Sequence, residues 1–462
     1  MLFNSVIFLY LFLPVTYFVY WNLHTKKSRY LWLTITGYVF YGWWNAKFCL
    51  LMLFSTLVSY TAGRIILTAG NNKLKKRAMI TAVVVDLSLL GFFKYYNFAA
   101  WNLNSLMDIF SLSGRHFPVL SIILPVGISF YTFHTMSYVI DSYRGTIKPT
   151  RDFFEFSCYV SLFSQLVAGP IVRFRQIESD LENIDKVSQF SKLNDGLSFF
   201  LVGLFKKVLI ADSIAVIIDP AFHRVDSMGT LGAWALALGY TYQLYFDFSG
   251  YSDMAVGLGF MFGIRIPQNF NSPYKAVSIS DFWRRWHISL SSWLRDYLYI
   301  PLGGNRGGEL RTQVNLLITM LLGGLWHGAN WTFVVWGAFH GVCLILNLLN
   351  PFKSIPKIVS QVFTFLVVVV GWVFFRSADM REAGRLLAKM FTLPLAGEVP
   401  GSAPTLWCFI SLAAFIAHTQ PNSTEMNHRH SWAVNVGFAG LFFFSVMRIL
   451  SNENTPFLYF QF

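Results

Sequence analysis

Charged residues are scarce in this sequence. Asp, Glu, Lys and Arg make up 13% of its 462 residues, about half of the roughly 25% that is usual in soluble domains. Hydrophobic residues make up 55% of the chain, and apolar runs long enough to cross a bilayer recur from end to end. This composition excludes a soluble multi-domain enzyme and a disordered chain. It predicts an all-α polytopic membrane protein, with one bundle of about 11–14 helices over residues 1–450, membrane-dipping segments among them, and a short aromatic tail at 451–462.

Motifs of soluble enzymes and of metal sites are also missing. The four cysteines lie far apart and form no CxxC pair, so no disulfide framework is predicted. His287, His327 and His340 show neither HxxxH nor HxxE spacing, and the chain has no GxSxG elbow, P-loop or dinucleotide fingerprint. We therefore predict no metal site and no tightly bound cofactor.

The charges that are present have an excess of one sign. The chain has 36 Lys and Arg against 23 Asp and Glu, a net charge of +13. The basic residues form short clusters between apolar runs, as around Lys26 and Lys75, which is typical of cytoplasmic loops rather than of nucleic-acid binding. We therefore predict no nucleic-acid partner, an N-terminus outside the membrane, and a secondary attraction of anionic substrates to the cytoplasmic face.

Polar side chains recur at helical spacing between residues 281 and 297. On a continuous helix, Arg284, His287, Ser291 and Arg295 share one face, and large aromatic residues occupy the other. Two interpretations stay open for this predicted amphipathic helix. It lies either in the headgroup layer or along a polar cavity, with His287 and the arginines facing inward.

A second histidine lies in a strongly apolar run. His327 is flanked by Gly323, Gly324 and Gly328, and an ionisable residue within a membrane span is a functional-site hypothesis by default. The glycines predict room for a substrate or a thioester to approach the imidazole closely; the alternative is a histidine satisfied by a neighbouring helix. His134 and His340 are interpreted as packing residues.

Neutral histidines at membrane depth are suited to acyl transfer. His327 would take the proton from an attacking hydroxyl, and His287 or an arginine would stabilise the oxyanion or orient the acyl donor. A transporter or flippase, in which these polar residues line a permeation path, is the alternative. The absence of an internal repeat counts against it.

Six motifs of this sequence resemble those of one family. They are Leu124–Phe133, Ala168–Phe174, Tyr245–Ala255, Phe282–Ser291, Leu298–Gly307 and Gly323–Asn330. Together they look like the membrane-bound O-acyltransferases, and most like the bacterial alginate O-acetyltransferase branch. The resemblance covers most of the chain up to about Arg376 and is weak beyond that residue.

The family resemblance implies a helical bundle with a central funnel or tunnel that opens to the cytoplasm. It implies that His327 is the catalytic histidine and His287 its partner. It also implies that acetyl-CoA or an acetylated carrier is the acyl donor. The candidates for donor or substrate binding are Arg284, Ser291, Arg295, Trp326, Asn330 and Asp253.

The same resemblance predicts the protein's surroundings. We expect a multi-pass protein in the lipids of the bacterial cytoplasmic (inner) membrane, with a periplasmic SGNH-type acetyltransferase as partner and a polysaccharide as acceptor. Alginate, cellulose, peptidoglycan and other exopolysaccharides all stay open. A lipid- or protein-directed acyltransferase of the same superfamily is a further alternative.

The C-terminus carries one more candidate. The ending Pro456–Phe462 resembles the tail of the small membrane peptide in teichoic-acid D-alanylation systems, in which a tyrosine is thought to carry the acyl group. This resemblance implies that Tyr459 accepts the acetyl group at His327. The alternative is an aromatic anchor at the membrane interface.

Overall fold

The computed structural model describes residues 1–111, 116–348, 355–401, 403–426, 431–451 and 458. Of these described residues, 75% are helical. Among the described residues no β-strand forms, and one isolated bridge joins Met228 to Glu398. The predicted all-α class is confirmed. The chain divides into two compact units, the first built mainly from Tyr10–Ser191 and the second mainly from Lys192–Met261 and Pro267–Phe462.

The first unit contains nine α-helices among its described residues. They are α1 (Leu13–Asn22), α2 (Lys26–Gly42), α3 (Lys47–Thr68), α4 (Asn72–Leu90), α5 (Tyr96–Ile109), α6 (Ile128–Arg144), α7 (Phe153–Ser161), α8 (Phe163–Leu166) and α9 (Phe174–Glu182). Side-chain caps fix several of their starts. The Thr25 side chain accepts a hydrogen bond from Ser28 N, and the Asn71 side chain accepts one from Lys73 N, which satisfies backbone donors that have no partner within the helix.

A buried carboxyl group ties three of these helices together. Asp86 on α4 is 1% exposed and accepts hydrogen bonds from Ser55 on α3 at 2.6 Å and from Thr135 on α6 at 2.7 Å. Ser59 on α3 adds a longer one at 3.4 Å. Burial of a carboxyl group in an apolar bundle is tolerated only with such partners, so the three hydroxyl groups fix how α3, α4 and α6 pack.

The second unit contains eleven α-helices among its described residues. They are α10 (Leu193–Phe205), α11 (Asp212–Ile218), α12 (Thr230–Met261), α13 (Ile279–Arg285), α14 (Ile288–Leu294), α15 (Glu309–His327), α16 (Trp331–Leu348), α17 (Lys357–Arg376), α18 (Met380–Phe391), α19 (Ala403–Thr419) and α20 (Trp432–Leu450). A π-helical segment, Lys206–Ala211, joins α10 to α11. A second one, Arg295–Tyr299, continues α14.

Helix α12 corrects one sequence prediction. The apolar runs 229–248 and 250–264 predict two separate spans divided near Gly250, but Thr230–Met261 is a single helix of 32 residues. A Cβ on Gly250 would lie 2.7 Å from the carbonyl oxygen of Gly203 on α10. The glycine is therefore a site of close helix–helix approach and does not end the helix.

Five apolar segments are long enough to cross a membrane among the described residues. They are Lys47–Thr68, Asn72–Ile109, Trp331–Leu348, Lys357–Arg376 and Trp432–Leu450. Other predicted spans are interrupted. The span predicted at 119–141 becomes helical only from Ile128, after Gly127 with its left-handed φ of 76°. The span predicted at 154–172 contains only the short helices α7 and α8.

Candidate active site

The backbone breaks at the first candidate histidine. Helix α13 ends at Arg285, Trp286 is extended, and His287 has a left-handed backbone with φ 43° and ψ 55° before α14 begins. The single amphipathic helix predicted over 281–297 is therefore wrong. The predicted polar and aromatic faces do not continue from α13 into α14, because the left-handed residue between them changes the direction of the chain.

Asn269 stabilises this break. Its carbonyl oxygen accepts the Ile288 N–H at 2.9 Å, and its side-chain oxygen Oδ1 accepts the Ser289 N–H at 3.2 Å. The first backbone donors of a helix have no partner within the helix itself. Because Asn269 supplies their acceptors, α14 can begin directly after His287 in a buried environment.

The same amide orients the His287 ring. His287 Nδ1 lies 3.1 Å from Asn269 Oδ1, which also accepts the Ser289 hydroxyl at 2.8 Å. An amide oxygen only accepts, so this network assigns the proton to Nδ1 and leaves the lone pair on Nε2. Phe248 packs edge-on with its ring centroid 4.7 Å from that of His287. Burial lowers the pKa of the His287 imidazole, so the ring is neutral at physiological pH.

His327 lies at the end of α15 among aromatic side chains. Its ring centroid is 5.0 Å from Trp326, 5.2 Å from Trp336 on α16 and 5.1 Å from Phe375 on α17. The side chain is buried, with 5% of its surface exposed. Three helices of the second unit thus place one imidazole in an apolar enclosure, where electrostatic interactions are stronger than in water.

The two histidines come together although forty residues separate them in the sequence. Their ring centroids are 6.4 Å apart, and Trp326 packs against both rings, with its centroid 6.1 Å from that of His287. At this separation of the ring centroids, one group between the rings can reach a nitrogen of each ring by hydrogen bonds of about 2.6–3.2 Å. The pair can therefore act on a single reacting group between the two rings.

Two of the three glycines around His327, Gly324 and Gly328, have a different role from the one predicted. A Cβ on Gly324 would lie 2.2 Å from the carbonyl oxygen of Phe333, and a Cβ on Gly328 would lie 2.1 Å from the Phe333 ring. Helix α16 thus fills the space that was predicted for a substrate or thioester. These glycines allow α15 and α16 to pack closely, and this packing holds His327 beside Trp336.

We expect Gly324→Ala to destabilise the protein and to lower its activity. The added methyl group meets backbone, which cannot move aside without separating α15 from α16, and overpacking of this kind costs about 1–3 kcal/mol. Thermal unfolding of the purified protein in detergent measures the effect. Gly384→Ala on α18 is the matched control, because a Cβ there meets nothing within 4 Å; an equal loss in both variants would contradict the packing role.

The predicted arginines do not join the histidines. The Arg284 side chain is 73% exposed and lies 3.9 Å from Asp281. The Arg295 side chain is 62% exposed and its Nε donates to Asp296 at 2.7 Å. Their role in donor binding stays a prediction, but they cannot share a helix face with the buried His287.

The other predicted residues are dispersed within the second unit. The Ser291 hydroxyl donates to the Trp286 carbonyl oxygen at 3.2 Å, and the Asn330 amide donates to the Ala378 carbonyl oxygen at 2.7 Å. Asp253 pairs with Lys206 at 2.6 Å and accepts the hydroxyl of Ser423 at 2.5 Å. Of the six predicted binding residues, Trp326 is the one whose ring packs against both histidines. Tyr459 lies outside the described residues.

Sequence analysis missed Asn269, Phe248 and Phe375. Asn269 precedes His287 by eighteen residues in a segment without helical or strand periodicity, so no spacing rule connects the two. Phe248 lies within the motif Tyr245–Ala255, but nothing in that motif indicates a contact with a histidine, and Phe375 is one of 47 phenylalanines without a distinguishing pattern. Only the fold brings these three side chains to the histidines.

We expect Asn269→Ala to reduce kcat while leaving KM nearly unchanged. The variant removes the acceptor that fixes the His287 tautomer, and misplacement of a catalytic group by about 1 Å can cost 10²-fold. Steady-state kinetics of acyl transfer measures both constants. Asn271→Ala, two residues further on, is the control because its side chain bonds Asn422 instead; a rise in KM alone would contradict the orienting role.

Comparison with known proteins identifies the family of this chain. An all-helical protein with membrane-spanning helices and two buried, paired histidines fits an integral-membrane acyltransferase. Residues 148–350 match the membrane-bound O-acyltransferase (MBOAT) family, and this match covers both histidines. The chain belongs to this family, as the sequence motifs predicted, and it is an O-acyltransferase.

Relatives of known name extend the match over the whole chain. The chain is 41% identical to "Probable alginate O-acetylase AlgI" of Pseudomonas putida, over 100% of both chains. It is 46% identical to the protein of the same name from Pseudomonas aeruginosa, over 85% of this chain and 75% of the relative. It is 39% identical to "Peptidoglycan O-acetyltransferase" of Helicobacter pylori, over 85% of this chain and 80% of the relative.

Proposed function

We propose that this protein takes an acetyl group from a cytoplasmic thioester and passes it across the bacterial cytoplasmic membrane for O-acetylation of an extracytoplasmic polysaccharide. The observation that carries the proposal is the buried pair of His287 and His327, 6.4 Å apart, in a chain that belongs to an O-acyltransferase family. Relatives named for alginate and for peptidoglycan support a polysaccharide as the final acceptor.

The proposed reaction begins at His327. Its imidazole accepts the proton of an attacking hydroxyl while the hydroxyl oxygen bonds to the acetyl carbonyl carbon. The carbon–sulfur bond of acetyl-CoA or an acetylated carrier then breaks, and the proton passes from His327 to the leaving thiolate. The products are an acetyl ester and a free thiol.

The position of the proton on the His287 ring limits what this residue can do in the reaction. With its proton on Nδ1 and bonded to Asn269, the neutral ring offers a lone pair at Nε2 and no proton there. Because the single proton of the attacking hydroxyl goes to His327, His287 Nε2 is suited to accept a hydrogen bond from a different donor of the bound substrate and so to orient it. Stabilisation of the oxyanion would need a donor, which this tautomer does not supply at Nε2.

Tyr459 is the proposed first acceptor. A phenol with a pKa of about 10 is a weak nucleophile at neutral pH, and a histidine general base within hydrogen-bond reach removes that limitation. In this proposal the acetylated tyrosine presents the acetyl group to a periplasmic SGNH-type partner, which completes transfer to the polysaccharide. The proposal rests on the sequence Pro456–Phe462.

A labelled-donor assay tests the proposed function. Purified protein in proteoliposomes receives acetyl-CoA with a labelled acetyl group, and free thiol and acetyl ester are measured together. We expect one thiol for each ester formed. Movement of intact labelled acetyl-CoA across the vesicle membrane, with no ester and no thiol, would overturn the proposal in favour of a transporter.

A further inference from the structure

A buried ion triad lies on α11, α12 and the π-helical segment that precedes α11. Lys207 lies 2.6 Å from Asp212 and 2.5 Å from Asp247, and all three side chains are at most 2% exposed. One cation thus faces two carboxyl groups. Burial of such charges is costly unless further hydrogen bonds satisfy their remaining oxygens, so additional donors are needed at this site.

One such donor comes from the C-terminal tail. The backbone N–H of Leu458 donates to Asp247 Oδ2 at 3.0 Å, whereas Asp247 Oδ1 faces Lys207. Leu458 itself is 2% exposed. The two oxygens of Asp247 therefore have separate partners, one from the triad and one from the tail, and the tail residue is buried in the second unit.

The position of Asp247 connects this contact to the histidines. The next residue on α12 is Phe248, whose ring packs 4.7 Å from the His287 ring. The next residue after Leu458 is Tyr459, the proposed acyl acceptor. Asp247 thus directly precedes a residue that contacts His287, and Leu458 directly precedes the proposed acyl acceptor.

We propose that the Lys207–Asp212–Asp247 triad is the docking site for the C-terminal tail and holds the tail by the Leu458 N–H. Asp247 is in this view a positioning residue, whose carboxylate selects a backbone donor and not a side chain. A role of this docking in acyl transfer depends on the proposed function of Tyr459. The docking itself does not depend on that function.

Limited digestion with carboxypeptidase Y, which also releases proline, tests the docking directly. The full-length protein in detergent is digested from its C-terminus, and intact mass shows which residues are lost. We expect the wild type to retain Leu458, and Asp247→Asn to lose it. Asp253→Asn is the matched control for this readout, since Asp253 lies on the same helix and also pairs with a lysine, Lys206.

A second variant avoids disturbing the triad. Leu458→Pro removes the donated N–H and also changes the backbone and side chain at position 458, but it leaves Lys207, Asp212 and Asp247 as they are; Leu458→Met keeps the N–H in a side chain of similar volume. We expect the proline variant to be trimmed past position 458 and the methionine variant to resist. Retention of residue 458 in both Asp247→Asn and Leu458→Pro would overturn the docking site.

Acetylation of Tyr459 in the same variants separates positioning from the chemistry. Displacement of the acceptor should lower the rate of tail acetylation by about 10²-fold with KM for acetyl-CoA unchanged, because the donor does not contact the triad in this proposal. Undiminished tail acetylation in a variant that loses protection would overturn the positioning role. Absence of tail acetylation in the wild type, with protection intact, would instead count against the proposed function of Tyr459 alone.

Discussion

Replacement of His327 with Ala should reduce acetyl transfer by about 10²–10⁴-fold, the contribution of a positioned general base. The variant removes the imidazole that takes the proton from the attacking hydroxyl, and the three surrounding aromatic side chains offer no substitute base. The single-turnover rate of thiol release from acetyl-CoA by the purified protein measures the loss.

His134→Ala is the matched control for this variant. His134 has 0% exposure and its ring centroid lies 5.7 Å from that of Tyr159 in the first unit, so the substitution removes a buried imidazole that is not one of the paired histidines. We expect some loss of stability and little loss of kcat per folded molecule. Equal transfer rates for His327→Ala and the wild type would defeat the catalytic assignment.

Tyr459→Phe should abolish acetylation of the tail and of the extracellular polymer. The substitution removes a single oxygen, and phenylalanine has no nucleophile with which to form an ester. Mass spectrometry of the C-terminal peptide detects acetyl-Tyr459 in the wild type. Ester content of the polymer from cells producing each variant shows whether the acetyl group travels through the tail.

Tyr10→Phe supplies the control for this loss, because it makes the same chemical change at a tyrosine that is 56% exposed. We expect it to behave as the wild type in both measurements. Unchanged acetylation of the polymer by Tyr459→Phe would show that the acetyl group bypasses the tail, whereas His327 would keep its assignment.

Local chemistry in the sequence identified the histidines but not their arrangement. His327 stood out because an ionisable residue is unusual in an apolar run, and the motif around His287 resembled the same family. The break at His287 was not predictable from periodicity, which reports side-chain faces and assumes one backbone conformation throughout. Asn269 sets that conformation, and its influence acts through tertiary contacts.

Glycine was the residue most often misinterpreted. Gly250 resembled a helix break and Gly324 resembled space for a substrate, because sequence alone shows only the absence of a side chain. Both instead face a carbonyl oxygen of a neighbouring helix at less than 3 Å from the Cβ position. Whether a missing side chain leaves a cavity or admits another helix depends on packing, which local sequence does not specify.

The left-handed backbone of His287 restricts which residues this position can tolerate. A φ of 43° is uncommon outside glycine, with Asn, Asp and His several-fold enriched there and β-branched residues true outliers. Saturation mutagenesis at position 287 should therefore yield folded protein from a small set of substitutions. Of that set, only histidine has a neutral ring whose second nitrogen accepts a hydrogen bond while the first is held by Asn269, so an enzyme redesigned at this site would have few side chains that keep the role of His287.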